Sequence, residues 1–170
     1  ADTQIAALKA TQIQSISATK LAAIDETQMA ALTTTQVSAL SANQLKAFST
    51  TNLSALNTTQ VNALDSTQVR ALTTTQIASL DTADIAEFTD TQIGAFTTAQ
   101  VQAWSTTVIS NLDSTRIAAL TDTQIPSLTT TQLDYLSTTS ISGLDTTQLY
   151  AFTATQIASF DQAQVEAYLG

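Results

Sequence analysis

Large apolar residues return along this chain every eight positions, and no insertion or deletion breaks the count from Ala1 to Tyr168. The units are numbered here so that the fifth reads Thr33-Thr34-Thr35-Gln36-Val37-Ser38-Ala39-Leu40. Position 5 is then Ile, Val, Leu or, once, Met29. Position 8 is Leu, Ile or an aromatic residue, as at Phe48, Phe88, Phe96, Trp104, Phe152, Phe160 and Tyr168. Position 7 is mostly Ala and otherwise mostly small. Position 6 tolerates Gln14, Lys46, Arg70, Pro126, Asp134, Tyr150 and Glu166, which is the mark of a side chain facing water. Residues 1–168 are therefore a single array of twenty-one octapeptides, and 169–170 are terminal residues.

The polar positions explain the period. Position 1 is Ser, Thr, Asp or Asn in nineteen units, Ala1 and Lys9 being the exceptions, and position 4 is Gln in fifteen. Such a residue followed three places later by Gln is a capping box. The first side chain accepts from the third backbone N–H of a helix, and the Gln side chain reaches back to the cap's own N–H. Thr33 with Gln36, Asp65 with Gln68 and Thr73 with Gln76 are representative pairs. The apolar residue before the cap and the one at position 5, such as Leu32 and Val37, make the apolar pair that fixes the entry angle of the chain. A cap every eight residues predicts a new helix every eight residues, each of about five or six residues.

The favoured fold class is thus all-α: a solenoid or superhelix of very short helices, one per repeat. Isolated helices this short are unstable in water. Packing must hold them, with positions 5 and 8 forming one continuous core, as in Val37, Leu40, Val61, Leu64, Ile77, Leu80 and Trp104. A single long helix fails, because eight residues advance about 80° beyond two full turns and the apolar stripe would wind round the cylinder. A β-solenoid is the alternative. Thr is a good strand former, and Thr-x-Thr at positions 1 and 3 (Thr33 and Thr35, Thr73 and Thr75) would form a ladder. Against it, positions 5 and 8 have opposite parity, and the chain has only three Gly for tight turns. Pro126 lies at position 6, where its missing N–H removes a helical bond, so the helical rule is weakest there.

Composition narrows the function. Charged residues are only 11% and the net charge is −9, with five Lys and Arg in all. Nucleic acid and anionic membrane surfaces are excluded as partners on that ground. No apolar run approaches the ~18 residues of a membrane span, so no membrane insertion is expected. No signal-peptide pattern opens the sequence. There is no His and no Cys, which removes the commonest general base, thiol nucleophiles and the usual transition-metal ligands. No catalytic residue, cofactor site or metal site is predicted, and the protein is not expected to be an enzyme.

Six aspartates (Asp25, Asp65, Asp81, Asp113, Asp145 and Asp161) stand at position 1, where capping accounts for them. Asp81, Asp84, Glu87 and Asp90 make the densest acidic group and read as a solvated face; calcium is the functional alternative. Tyr135 and Tyr150, at positions 7 and 6, are the candidate surface contacts. Asn52-Leu53-Ser54 and Asn57-Thr58-Thr59 match the glycosylation sequon, as chance allows in so Thr-rich a chain. Neither end carries a polar terminal cap of the kind solenoids use. The expectation is a segment of a longer array, or ends that meet other copies.

The unit T-x-Q-[IV]-x-A-L resembles the Thr/Gln-rich octapeptide arrays of very large bacterial secreted and surface proteins, described as adhesin-like or haemagglutinin-like. The resemblance runs the length of the chain and carries over no functional residue. It implies a secreted or cell-surface location and a non-catalytic role as a stalk, spacer or filament building block. The competing expectation is a binding module for carbohydrate, protein or ice that uses the Thr rows or the position 6 surface.

Overall fold

The computed structural model describes residues 2–170, with side chains from residue 4 onward. The cap missing at Ala1 lies outside the described residues. The fold is all-α, with no strand among the described residues. Each octapeptide carries one short helix, and the series is a helical solenoid. The strand alternative falls for a local reason: the position 1 Thr turns its hydroxyl to the helix start instead of into a ladder.

The fifth unit shows how one repeat is built. Its helix, α1, spans Thr34–Ser38. Thr33 is extended (φ −76°, ψ 158°), and its Oγ1 accepts from the Gln36 N–H at 3.2 Å. The Thr33 N–H in turn donates to Gln36 Oε1 at 2.8 Å. The helix ends without glycine. Leu40 N–H bonds the Val37 carbonyl at 3.1 Å, tightening the last turn. At the units that end on an extended residue, such as Phe48 (ψ 142°) and Leu72 (ψ 139°), the chain leaves position 8 extended and enters position 1 extended. At these units two extended residues redirect the chain into the next helix. Among the described residues only Gly170, at the terminus, has positive φ, which is why three glycines suffice.

Above the single unit, the main helix-to-helix contacts join units three apart along the array. The polar link described below reaches four units back. The superhelix therefore turns once in three to four repeats. Positions 5 and 8 fill its interior as one apolar cluster running from Ile5 to Phe160. Position 8 points towards the axis. The rings of Phe152, Phe160 and Tyr168, from three successive units, lie 5.2–6.1 Å apart centre to centre. Phe88, Phe96 and Trp104 form a second run at 5.1 and 5.7 Å. Such tilted and edge-on pairs are worth ~0.5–1.5 kcal/mol beyond their buried area.

Pro126 breaks the rule locally and only there. The sixteenth unit replaces its α-helix by a 3-10 turn over Ile125–Ser127. The Gln124 N–H bonds the Thr121 carbonyl at 2.9 Å, and Ile125 N–H bonds the same oxygen at 3.1 Å. The register is kept, because the Gln124 side-chain amide still takes the Thr121 N–H and donates to the Ile93 and Phe96 carbonyls, although its backbone N–H has left the Thr121 hydroxyl.

Candidate functional site

The repeated polar element of this molecule is the position 4 glutamine. Its Oε1 is held by the N–H of its own cap, at 2.9 Å for Asp65–Gln68 and 2.8 Å for Thr73–Gln76. The returning bonds, from Gln68 N–H to Asp65 Oδ1 and from Gln76 N–H to Thr73 Oγ1, are 2.8 and 3.1 Å. That fixes the amide so that Nε2 points away from its own helix. From Gln36 onward, Nε2 donates across to the preceding coil. Gln76 Nε2 reaches the Leu45 carbonyl at 2.8 Å and the Phe48 carbonyl at 2.9 Å. Gln68 reaches Val37 and Leu40 in the same way, at 3.1 and 2.8 Å.

The acceptors always sit 28–31 residues earlier, at positions 5, 6 and 8 of the fourth unit back. Those at positions 6 and 8 are carbonyls a short helix leaves without a backbone donor at its C-terminus, while the one at position 5 also takes the N–H of position 8. One side chain therefore starts its own helix and finishes another in the preceding coil. These glutamines are buried. Because each end of the amide has a partner of the opposite kind, burial does not leave it unsatisfied.

The units that depart from Gln show what the position requires. Asn52 is shorter and reaches only the Ile24 carbonyl, at 2.9 Å. Arg116 keeps a donor, placing Nη2 2.9 Å from the Ala86 carbonyl while Nη1 pairs with Asp90 at 2.7 Å. Asp84 has no donor to give, and the polarity of the link reverses: Ser54 Oγ donates to it at 3.1 Å. Val108 and Ser140 make no link across the coil. Among the described residues, the Leu80 carbonyl that a glutamine at position 108 would meet has no donor.

The representative core residues Val37, Leu40, Val61, Leu64, Ile77, Leu80 and Trp104 are all buried. Trp104 Nε1 is buried with no partner, a consequence of placing an indole where the interior of the array otherwise has Leu, Ile or Phe. The two candidate surface residues are exposed, Tyr135 at 53% and Tyr150 at 81%. They lie two units apart, about half a turn of the superhelix, so they do not form one patch.

The acidic group is not brought together either. Asp84 faces Ser54, Glu87 accepts from Thr58 at 3.2 Å, and Asp90 faces Arg116. Among the described residues, no three carboxylates converge on a point that could hold a metal ion. Glu87 is half-buried. Partial burial raises its pKa above the usual carboxylate value, the Thr58 hydroxyl opposes this, and the charges of Asp84 and Asp81 add to it. Between coils a groove of about 400 Å³ is lined by Gln14, Ser38, Ser41, Asp65 and Thr67 among others. Its lining residues occupy ordinary positions of the repeat, and no carboxylate but Asp65 is among them. No helix among the described residues is long and apolar enough to cross a membrane.

Sequence reasoning identified the capping pairs but missed the second role of their glutamines. A signal was present. A capping box accepts Glu as readily as Gln, yet position 4 holds fifteen Gln and no Glu. That bias says the amide nitrogen is in use.

Among known families, the one described as the ALTTAQ repeat matches residues 37–74 and 62–98, which supports a tandem repeat array. No curated protein and no solved structure matches the chain.

Proposed function

We propose that this chain is a non-catalytic structural segment: a rigid spacer, stalk or filament building block of a secreted or surface-exposed bacterial protein. The observation that supports it most is the series of links from coil to coil, which from the fifth unit onward is missing only at Val108 and Ser140. Core, caps and glutamine bonds repeat from coil to coil, and even Pro126 and Arg116 are accommodated without a change of register. In such an array stability is close to a sum of unit and neighbour terms, so length is set by the number of units.

The geometry gives the spacer a definite character. Packed helices lie about 8–10 Å apart, and a turn holds three to four units. Twenty-one units then make roughly six turns and a cylinder on the order of 50–60 Å long, each octapeptide advancing the axis by only about 2.5–3 Å. The chain is spent on thickness and stiffness more than on reach. The exposed Ser and Thr at positions 2 and 3 wrap the cylinder in neutral hydroxyls, which suits a chain with few charges that must stay in water.

Small-angle scattering at low concentration tests this reading. Arrays of fourteen, twenty-one and twenty-eight units should share one cross-sectional radius and grow in length in proportion. A particle whose cross-section widens with unit number would refute the spacer. Binding of carbohydrate or protein is the second reading, and the exposed Tyr150 is the feature that favours it. Substitution by Ser, followed by glycan-array binding of the two proteins, decides whether that ring does anything.

A further inference from the structure

Each link joins a unit to the fourth one back, so the links run along the cylinder as four ladders, and the ladders are not alike. Two are unbroken. One passes through Gln60, Gln92, Gln124 and Gln156, each bonded to the position 8 carbonyl of the fourth unit back. Its neighbour passes through Gln36, Gln68, Gln100, Gln132 and Gln164 in the same way. Every departure from glutamine at position 4 falls in the other two ladders. Lys20, Asn52, Asp84 and Arg116 follow one another at intervals of 32 residues, and Val108 and Ser140 are also 32 apart. Val108 and Arg116 stand in consecutive units, so these two ladders lie side by side. The departures therefore make one seam, across the axis from the intact pair.

Between Leu80 and Leu144 the seam holds no glutamine at position 4. Val108 and Ser140 make no link, so the Leu80 and Leu112 carbonyls take no donor from across the coil among the described residues. Asp84 accepts from Ser54, and Arg116 reaches Ala86 and Asp90, but these bonds are exposed. Water competes for them, and an exposed ion pair adds little. Gln76 before this stretch and Gln148 after it link their coils in the usual way. What holds the seam is apolar contact, since Leu80, Ile109, Leu112 and Ile141 are buried. Apolar contact is non-directional, so coils held by it can tilt. The amide bonds on the intact side weaken steeply when their angles change, so coils held by them cannot.

We infer that the cylinder hinges at this seam. The coils part on the side of Val108 and Ser140 and stay joined on the side of Gln92, Gln100, Gln124 and Gln132, so the axis bends in one plane, towards the glutamine side. The inference goes beyond the spacer reading, which needs only a constant cross-section. Distances between pairs of spin labels, read by pulsed electron resonance, test it. The chain has no Cys of its own. Thr74→Cys with Thr138→Cys labels the seam, spanning the units of Val108 and Ser140. Ser66→Cys with Thr130→Cys labels the intact side at the same spacing, spanning Gln100 and Gln132. All four residues are exposed at position 2. The seam pair should give the wider distribution, with a tail at longer distance, and the other pair a narrow one. Adding Val108→Gln and Ser140→Gln to the seam pair should narrow its distribution to that of the intact side. Equal widths for the two pairs would overturn the hinge, and so would a seam width that the added glutamines leave unchanged. The comparison of the two pairs alters nothing inside the array, so it decides the matter whether or not the glutamine variant folds. A hinge that fails leaves a straight cylinder of the same cross-section, and the spacer reading is then tested by scattering on its own.

Discussion

Replacing Gln76 separates the two roles of the position 4 side chain. Gln76 is buried and makes three bonds through its amide: one from the Thr73 N–H at 2.8 Å and two to the Leu45 and Phe48 carbonyls at 2.8 and 2.9 Å. A net ~0.5–1.5 kcal/mol per bond puts their sum at about 2–4 kcal/mol. Gln76→Leu keeps the volume and adds apolar contact. It strips the Phe48 carbonyl of its donor, which costs ~1–3 kcal/mol for a buried group. The expected loss is about 2–4 kcal/mol. Gln76→Glu keeps an acceptor for the Thr73 N–H but turns a charged oxygen on two carbonyls. The loss at neutral pH should therefore exceed that of the Leu variant, approaching the ~3–5 kcal/mol of an unpaired buried charge.

The pH sign follows from that repulsion. A Glu at position 76 would hold its proton more tightly folded than unfolded. Its penalty should therefore fall as pH falls, since the protonated carboxyl can donate to one of the carbonyls. Urea titrations read by the emission of Trp104, the single and buried Trp, follow all three proteins. Trp104 lies in the unit three later, which packs against the one holding Gln76, so its emission follows unfolding of this part of the array. Equal midpoints for wild type and Gln76→Leu, or a Glu variant milder than the Leu variant at neutral pH, would refute the reasoning.

Further predictions concern the departures from the rule. Val108→Gln supplies the missing link to the Leu80 carbonyl and should raise stability by about 1 kcal/mol, read as a higher urea midpoint with unchanged slope. Gly94 sits at φ −63°, ψ −16°, and a Cβ there meets nothing closer than 3.5 Å. Gly94→Ala should add ~0.4–1 kcal/mol by restricting the unfolded chain, seen as a rise in Tm. Glu87 binds its proton more tightly folded than unfolded, so its contribution worsens as pH rises through the carboxylate range and recovers on acidification. Glu87→Gln should therefore stabilise the protein at neutral pH and flatten the pH profile of the urea midpoint, with no gain at acid pH.

The parts of the fold that could be read from the sequence are those decided within one octapeptide. The box of Thr33 and Gln36 and the apolar pair of Leu32 and Val37 span at most five places, and short-range chemistry fixes their outcome. The helical reading survived its rival because that chemistry specified a helix start in almost every unit, which Thr strand propensity could not offset. What lay beyond reach depends on the angle between successive helices. That angle is set jointly by the two extended residues at positions 8 and 1 and by how Leu, Phe and Trp side chains fill the axis. It determines that the partner of Gln76 is Phe48 and not a residue 20 or 40 places away. Tyr135 and Tyr150 illustrate the same limit. Their exposure could be read from their positions in the unit, but their placement on different sides needed the number of units per turn. Pro126 was identifiable as the weak point. Its confinement to one 3-10 turn follows from the Gln124 bonds, which anchor the unit from outside.

The central claim is that the amide of each interior glutamine bonds the fourth unit back. Side-chain amide resonances measure it directly. In a spectrum of the protein labelled at glutamine, the Gln76 amide protons should exchange slowly with water and show nuclear Overhauser contacts to Leu45 and Phe48, 31 and 28 residues earlier. Gln12, at the first coil, should exchange fast. Rapid exchange at Gln76, or contacts confined to the units on either side of it, would contradict the superhelix described here.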